Sequence, residues 1–171
     1  MSESIDVVTC LLSMSSNVAQ TFLLSCDRKY GKYNHERFFP FEKMTHCKST
    51  TCIGGDCATD LSKFVCGVDQ LKAGCVVYSI GGNNQWEFEL DLVKKTPCHV
   101  YTFDCTGPKS RFQVPNHPRI HFHHVCLTPY SGTDKFEGME GEAWTLLEMQ
   151  QNLGHSRIDL LKMDVEGRIR T

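Results

Sequence analysis

The sequence predicts an α/β fold with a parallel, doubly wound sheet, and three observations support it. Apolar runs of strand length alternate with helical patterns from residue 75 onward. A glycine pair, Gly81 and Gly82, follows the first apolar run, and an acid, Asp104, follows the second. Because ligands bind outside the carboxyl ends of the strands in such sheets, we expect a small-molecule site at this edge.

Length and charge narrow the classes of function. The chain has 171 residues, enough for one domain with a real core, and its formal net charge is −2. This charge gives no electrostatic reason to expect a nucleic-acid or anionic-membrane partner. No apolar run approaches the roughly 20 residues of a membrane helix, so we expect no membrane span.

The first strand and helix follow from their patterns. Residues 75–80 are a continuous apolar run typical of a buried strand. Residues 86–95 form a helix, because Trp86, Leu90 and Val93 recur at i, i+4 and i+7. Acids in its first turns and lysines in its last suit the helix dipole. These acids are Glu87, Glu89 and Asp91, and the lysines are Lys94 and Lys95.

The remaining elements complete the alternation. We expect a second strand over residues 99–103, a loop over 108–118, a third strand over 120–127, a turn-rich segment over 128–141, a second helix over 142–153 and a fourth strand over 158–163. The second helix directs Trp144, Leu146, Leu147, Met149 and Leu153 inward. Gly154 ends it.

Residues 1–51 are an irregular N-terminal segment, and residues 52–171 carry the patterned domain. Cys47, Cys52 and Cys57 are evenly spaced, which is compatible with zinc binding, but the spacing is not Cys-x2-Cys and no second pair follows. Disulfides or a surface loop are the alternatives. Ten cysteines favour a secreted chain, whereas the sequence has no Asn-x-Ser/Thr site. The compartment, cytoplasmic or secretory, stays open.

A second group of metal-binding residue types lies on the third strand. His121, His123, His124 and Cys126 fall within six residues. On a strand, His121 and His123 share one face, and His124 and Cys126 share the other. This division favours ordinary strand residues over a metal site.

The candidate site residues follow three strands. Ser79, Gly81, Gly82 and Asn83 end the first strand, where glycines let the backbone approach a ligand closely. Asp104 is placed to accept hydrogen bonds from ribose hydroxyls. The loop lacks the third glycine of G-x-G-x-x-G, which disfavours a pyrophosphate. A nucleoside ligand without phosphates, such as S-adenosylmethionine, is compatible with it. Asp164 and Glu166 follow the fourth strand and are expected to face the same crevice.

Three segments, VVYSIGGNNQWEFELDL, HVYTFDCTGP and RIDLLKMDVEG, resemble the FkbM-like S-adenosylmethionine-dependent methyltransferases, most closely their animal methyltransferase-like branch. The resemblance covers about residues 52–167. It implies a Rossmann-like class I methyltransferase domain that uses S-adenosylmethionine. Its cofactor loop corresponds to Gly81, Gly82 and Asn83, its ribose-binding acid to Asp104, and its later acids to Asp164 and Glu166. Ser79 stands where many members have Asp, and Gln85 where many have Gly, so weakened cofactor binding is expected.

The resemblance implies methyl transfer, and we expect oxygen as the acceptor atom. Asp164 would then orient the acceptor hydroxyl or act as a general base, although the same acids could simply cap the turn. Two other hypotheses are an inactive methyltransferase-like fragment that acts as a binding module and a secreted cysteine-stapled domain. The acceptor itself is open between a sugar hydroxyl, a protein side chain and a small metabolite.

A class I methyltransferase sheet is expected, by resemblance, to have seven strands, and this chain stops a few residues after the fourth. We therefore expect a truncated chain whose C-terminal strands are missing. Its fourth strand would be an exposed apolar edge, which predicts self-association through that strand.

Overall fold

The computed structural model describes residues 47, 49–59, 61–134 and 141–164. The strands are β1 (Thr50–Ile53), β2 (Lys63–Cys66), β3 (Val76–Ile80), β4 (His99–Phe103), β5 (Ile120–His123), β6 (Val125–Leu127), β7 (Gly132–Asp134), β8 (Gly141–Trp144) and β9 (Leu160–Met163). The helices are α1 (Glu87–Lys95) and α2 (Leu146–Leu153).

The central sheet is parallel and has the strand order β5-β4-β3-β9. In chain order these are the third, second, first and fourth strands, which is the beginning of the doubly wound order 3-2-1-4-5-6. The chain moves outward in one direction from β3 through β5, and β9 returns to the other side of β3. The topological switch point therefore lies between β3 and β9, beside the glycine pair.

The two faces of the sheet bury separate cores. Alternate side chains of β3 point to opposite faces, so Val77 packs with Leu92 of α1, and Tyr78 packs with Met149 of α2. Helices thus lie on both faces, as the predicted doubly wound arrangement requires. The predicted strand at residues 99–103 is confirmed, and β3, α1 and β9 each begin one or two residues later than predicted.

An antiparallel hairpin, β1–β2, precedes the sheet and spans the predicted boundary at residue 52, where no strand was predicted. It packs on α1, where Asp91 accepts a hydrogen bond from the Gly54 N–H at 2.9 Å and Lys95 donates to the Cys52 carbonyl at 2.9 Å. Ile53 and Val65 of the hairpin are buried in the α1 core. Each of its strands has only four residues, too short for a clear alternating pattern.

The prediction of a single strand over residues 120–127 is wrong, because the strand is interrupted at His124. Residues before the break pair with β4, whereas β6 joins a second sheet of order β6-β8-β7. His124 belongs to neither strand, and its Nε2 lies 2.9 Å from the Gly107 carbonyl oxygen. The segment predicted as turn-rich, residues 128–141, contains β7.

The second helix is four residues shorter than predicted. Thr145 forms a capping box with Glu148, which begins α2 at Leu146, and residues 141–144 form β8 instead. Trp144 therefore belongs to a strand, and Leu147 is 57% exposed rather than inward. Met149 is fully buried, and Gly154 ends the helix in the left-handed conformation, as predicted.

All eight cysteines within the described residues form disulfides, namely Cys47–Cys66, Cys52–Cys57, Cys75–Cys98 and Cys105–Cys126. The evenly spaced cysteines Cys47, Cys52 and Cys57, for which zinc binding, disulfides or a surface loop were considered, are therefore paired in disulfides.

Within the described ranges, no three His, Cys, Asp or Glu side chains are grouped to hold a metal ion. Nor does either helix there have the length and apolar character that crossing a membrane demands.

Candidate functional site

The carboxyl ends of β3, β4 and β9 meet at one edge of the sheet and bring most of the predicted site residues together. The Gly81 N–H donates to the Phe103 carbonyl at 2.8 Å, and the Asp164 N–H donates to the Ile80 carbonyl at 2.8 Å. These bonds place the glycine loop between the acids that end β4 and β9. Glu166 lies outside the described residues.

The loop after β3 turns sharply through left-handed conformations. Gly81 has φ 71°, and two asparagines follow the same course, Asn83 at 47° and Asn84 at 65°. Glycine and asparagine adopt such angles at the lowest cost, which explains their choice here. The Gln85 N–H donates to the Gly82 carbonyl at 2.7 Å and closes the turn into α1.

Asp104 holds this loop through its carboxylate. Its Oδ2 accepts hydrogen bonds from the N–H groups of Gly82 at 3.0 Å and Asn83 at 2.7 Å, and its Oδ1 accepts one from Thr106 at 2.8 Å. The residue is only 6% exposed. Burial acts to raise the pKa of Asp104, but these N–H donors outweigh it and hold the pKa below its usual value.

A second segment, which the sequence analysis treated only as a loop, fastens the glycine loop from outside. The Arg111 guanidinium donates to the Asn83 side-chain oxygen and to the Thr106 carbonyl. The Gln113 N–H donates to Asn84 Oδ1 at 2.7 Å. No local pattern marks Arg111, because its role depends on contact with a loop 28 residues earlier.

A buried polar cluster lies beneath the loop. Ser79 is fully buried, and its hydroxyl donates to Glu89 Oε1 at 2.5 Å. Glu89 lies in the first turn of α1, as predicted, and it is fully buried. Burial raises the pKa of Glu89, against the opposing effects of the Lys162 charge and the Ser79 hydroxyl. Its second oxygen, Oε2, has no hydrogen-bond partner among the residues that the structure describes.

Asp164 faces two lysines. Its Oδ2 lies 3.8 Å from Nζ of Lys63 on β2 and 3.8 Å from Nζ of Lys162 on β9. The Asp164 side chain is 36% exposed, so it remains accessible from solvent. The sequence indicated the acid but neither lysine, because Lys63 comes from the hairpin that had no recognised pattern.

A shallow depression with an empty volume of about 150 Å³ opens beside Asp104. Its lining residues are Gly82, Asn84, Gln85, Trp86, Thr102, Asp104, Phe112 and Phe122. The three aromatic rings provide apolar walls, and the hydroxyl of Thr102 is buried there with no hydrogen-bond partner in the described part of the chain. Aromatic walls with a few polar groups are typical of small-molecule sites.

Two of the histidines predicted on the third strand, His121 and His123, lie on the opposite face of the sheet from α1, whereas His124 packs against Phe112 and Phe122. His121, His123 and His155 pack around Tyr101, and His99 stacks on His121; these four are here termed the histidine cluster. His99 Nδ1 and His121 Nε2 lie 3.1 Å apart, within hydrogen-bond distance. Burial and neighbouring charges lower the pKa of three of the four, His121, His123 and His155.

Comparison with known protein families identifies the domain. A family model described as a methyltransferase domain matches residues 17–169, which is most of the chain. No curated protein and no solved structure matches the chain significantly.

Proposed function

Because the chain belongs to this family of methyltransferase domains, we propose that it is an S-adenosylmethionine-dependent methyltransferase of the FkbM-like type that methylates an oxygen atom. The observation that carries the proposal is the pairing of Asp104 with the Gly82 and Asn83 N–H groups. The pairing lies at the carboxyl edge of the sheet, next to the switch point where such folds bind ligands.

The residues at this edge fit S-adenosylmethionine. A carboxylate has about four acceptor positions, and at Asp104 three backbone N–H groups and the Thr106 hydroxyl already use them. A ribose hydroxyl would therefore bind in place of the Thr106 hydroxyl. The unpartnered Thr102 hydroxyl and the rings of Phe112 and Phe122 suit an adenine base. When bound, the cofactor supplies an electrophilic methyl group on a sulfonium. Because the depression is shallow, cofactor binding requires the residues that line it to move apart.

In this proposal the two acids after β9 bind and orient the methyl acceptor. Asp164 Oδ2 can accept a hydrogen bond from an acceptor hydroxyl and orient its oxygen, and Glu166 is proposed for the same step. Lys63 and Lys162 lie beside Asp164 and hold its position. These contacts support an acceptor with a free hydroxyl group and do not distinguish a sugar from a protein side chain or a small metabolite.

A second candidate function is that of an inactive methyltransferase-like binding module. The observation in its favour is the closed loop, in which Asp104 and Arg111 already satisfy the groups that a cofactor would use. This candidate predicts a folded protein that does not bind the cofactor.

Calorimetric titration of S-adenosylmethionine and S-adenosylhomocysteine into the full chain tests the proposal. We expect micromolar dissociation constants, about −8 kcal/mol. Asp104→Asn should weaken binding by about tenfold or more, because it removes the charge that holds the loop. Asp69→Asn, the same change at an exposed aspartate bonded to Ser49, is the matched control and should bind like the unmodified chain. A folded chain that binds neither compound would favour the inactive module.

A further inference from the structure

One peptide unit of the glycine loop is held between two charged side chains. Lys162 Nζ donates to the Gly81 carbonyl at 2.8 Å, and the Gly82 N–H donates to Asp104 Oδ2 at 3.0 Å. In a trans peptide the carbonyl and the following N–H point in opposite directions. The Lys162 ammonium and the Asp104 carboxylate therefore bind the Gly81–Gly82 peptide from opposite sides, through two charge-assisted hydrogen bonds.

The position of Lys162 is set by the sheet. Lys162 pairs in register with Ser79, and both side chains point toward α1, where Glu89 is buried. Lys162 is only 5% exposed. The residue two positions earlier on the same face of β9 is the apolar Leu160, which is also buried. Burying an ammonium is costly, and an apolar side chain would often be at least as stable there. Packing alone therefore does not account for a lysine at this position.

The charge of Lys162 is balanced by what surrounds it. Asp164 Oδ2 lies 3.8 Å away, the Phe88 ring centroid lies 5.6 Å away, and the charge of Lys162 also acts on Glu89. These contacts leave the ammonium directed at a single carbonyl, that of Gly81. The network thus links the interior of the domain to the orientation of one loop peptide.

We propose that Lys162 is a positioning residue that fixes the orientation of the Gly81–Gly82 peptide and thereby sets the affinity of the cofactor site; this rests on the proposed function. Without the ammonium, the Gly81 carbonyl loses its partner and the peptide is free to rotate. Rotation would take the Gly82 N–H away from Asp104 and change the surface that the loop presents to a ligand. Glu89 and Ser79 support this arrangement from below.

The arrangement can be tested first without any ligand. In the full chain with ¹⁵N-labelled glycine, the Gly82 amide proton should resonate downfield, because it is bonded to a carboxylate. Lys162→Met should move this resonance upfield, in the direction given by Asp104→Asn, whereas Lys162→Arg keeps the cation and should retain most of the downfield shift. If Lys162→Met does not fold, the double variant Lys162→Met with Glu89→Gln removes both buried charges and takes its place. An unchanged Gly82 resonance in the folded variant would overturn the inference.

Titration of S-adenosylhomocysteine then measures the consequence. Lys162→Met should weaken binding by about tenfold, the usual effect of losing a hydrogen bond to a charged group, and Lys162→Arg should restore most of it. Equal binding by the unmodified chain and Lys162→Met would overturn the inference and leave the proposed function intact. Absence of binding by the unmodified chain would overturn the proposed function, and the Gly82 resonance would still decide whether Lys162 orients the peptide.

Discussion

Asn84 combines two tasks at the start of α1. Its backbone takes the left-handed conformation, with φ 65°. Its side-chain oxygen accepts hydrogen bonds from the Gln113 N–H at 2.7 Å and from Trp86 Nε1 at 3.1 Å. Few residue types can do both, because glycine, asparagine and aspartate are the ones that readily take this backbone conformation, and glycine has no side-chain acceptor.

Asn84→Ala should lower the free energy of unfolding by about 1 to 2 kcal/mol, through the strained backbone and the lost acceptor. Asn84→Gly removes only the acceptor and should cost about half as much. Urea unfolding of the three proteins separates the two contributions. If the alanine and glycine variants were equally stable, the backbone conformation would contribute nothing at this position.

At this scale the sequence pattern located the residues that act locally. Gly81 and Asp104 follow strands, and their roles are visible in the pattern of the chain around them. Lys162, Glu89 and Arg111 were missed, because their roles depend on contacts between segments far apart in sequence. Lys162 is 81 residues from the carbonyl that it holds, and no spacing rule connects the two.

Among the elements, α2 shows how one capping residue sets a boundary. The Thr145 hydroxyl accepts from the Glu148 N–H at 3.2 Å, and Glu148 Oε2 accepts from the Thr145 N–H at 2.8 Å. This pair satisfies two N–H groups that the helix itself leaves without partners.

Thr145→Ala should therefore destabilise the domain by about 1 kcal/mol, the usual effect of losing such a cap. Thr145→Ser keeps the hydroxyl and should remain close to the unmodified chain. Chemical denaturation followed by circular dichroism provides the measurement. Equal losses in both variants would mean that the methyl group, and not the hydrogen bond, stabilises the start of α2.

The Thr-x-x-Glu signature of this cap is present in the sequence and would have placed the helix boundary correctly. The signals for β6 and β8 are weaker. These strands have three and four residues, and each paired residue lies 17 positions from its partner in the sequence. Short strands whose partners are distant depend on tertiary contacts, and the local alternation over residues 120–127 continued across the break without marking it.

For the molecule as a whole, the disulfides and the sheet stabilise the same arrangement. Cys75–Cys98 joins the chain just before β3 to the chain just before β4, and Cys105–Cys126 joins the end of β4 to β6. The four cysteines are nearly inaccessible to solvent. Because the second bridge begins next to Asp104, it holds the candidate site against the second sheet, and a fold of this kind suits an oxidising environment.

The histidine cluster makes the stability of the whole domain depend on pH. Burial and neighbouring positive charge lower the pKa of His121, His123 and His155 in the folded chain. The groups that face these rings are His99, Tyr101, Tyr78, Phe103 and Lys109, and none of them is an acid. The unfolded chain therefore binds protons at higher pH than the folded chain does.

The stability that these neutral rings contribute is fully present above the ordinary histidine pKa of about 6.5 and is lost as the pH falls through the lowered folded-state values. We expect the free energy of unfolding, measured by urea denaturation, to fall as the pH is lowered from about 7.5 to about 5.5. The decrease should be up to about 1.4 kcal/mol per pH unit for each proton taken up on unfolding. His123→Phe keeps the ring stacked on Phe103 and removes both a titrating group and the buried, unpartnered Nε2. Its free energy of unfolding should change less steeply with pH, by about one proton, and a slope equal to that of the unmodified chain would show that folding does not lower the pKa of His123.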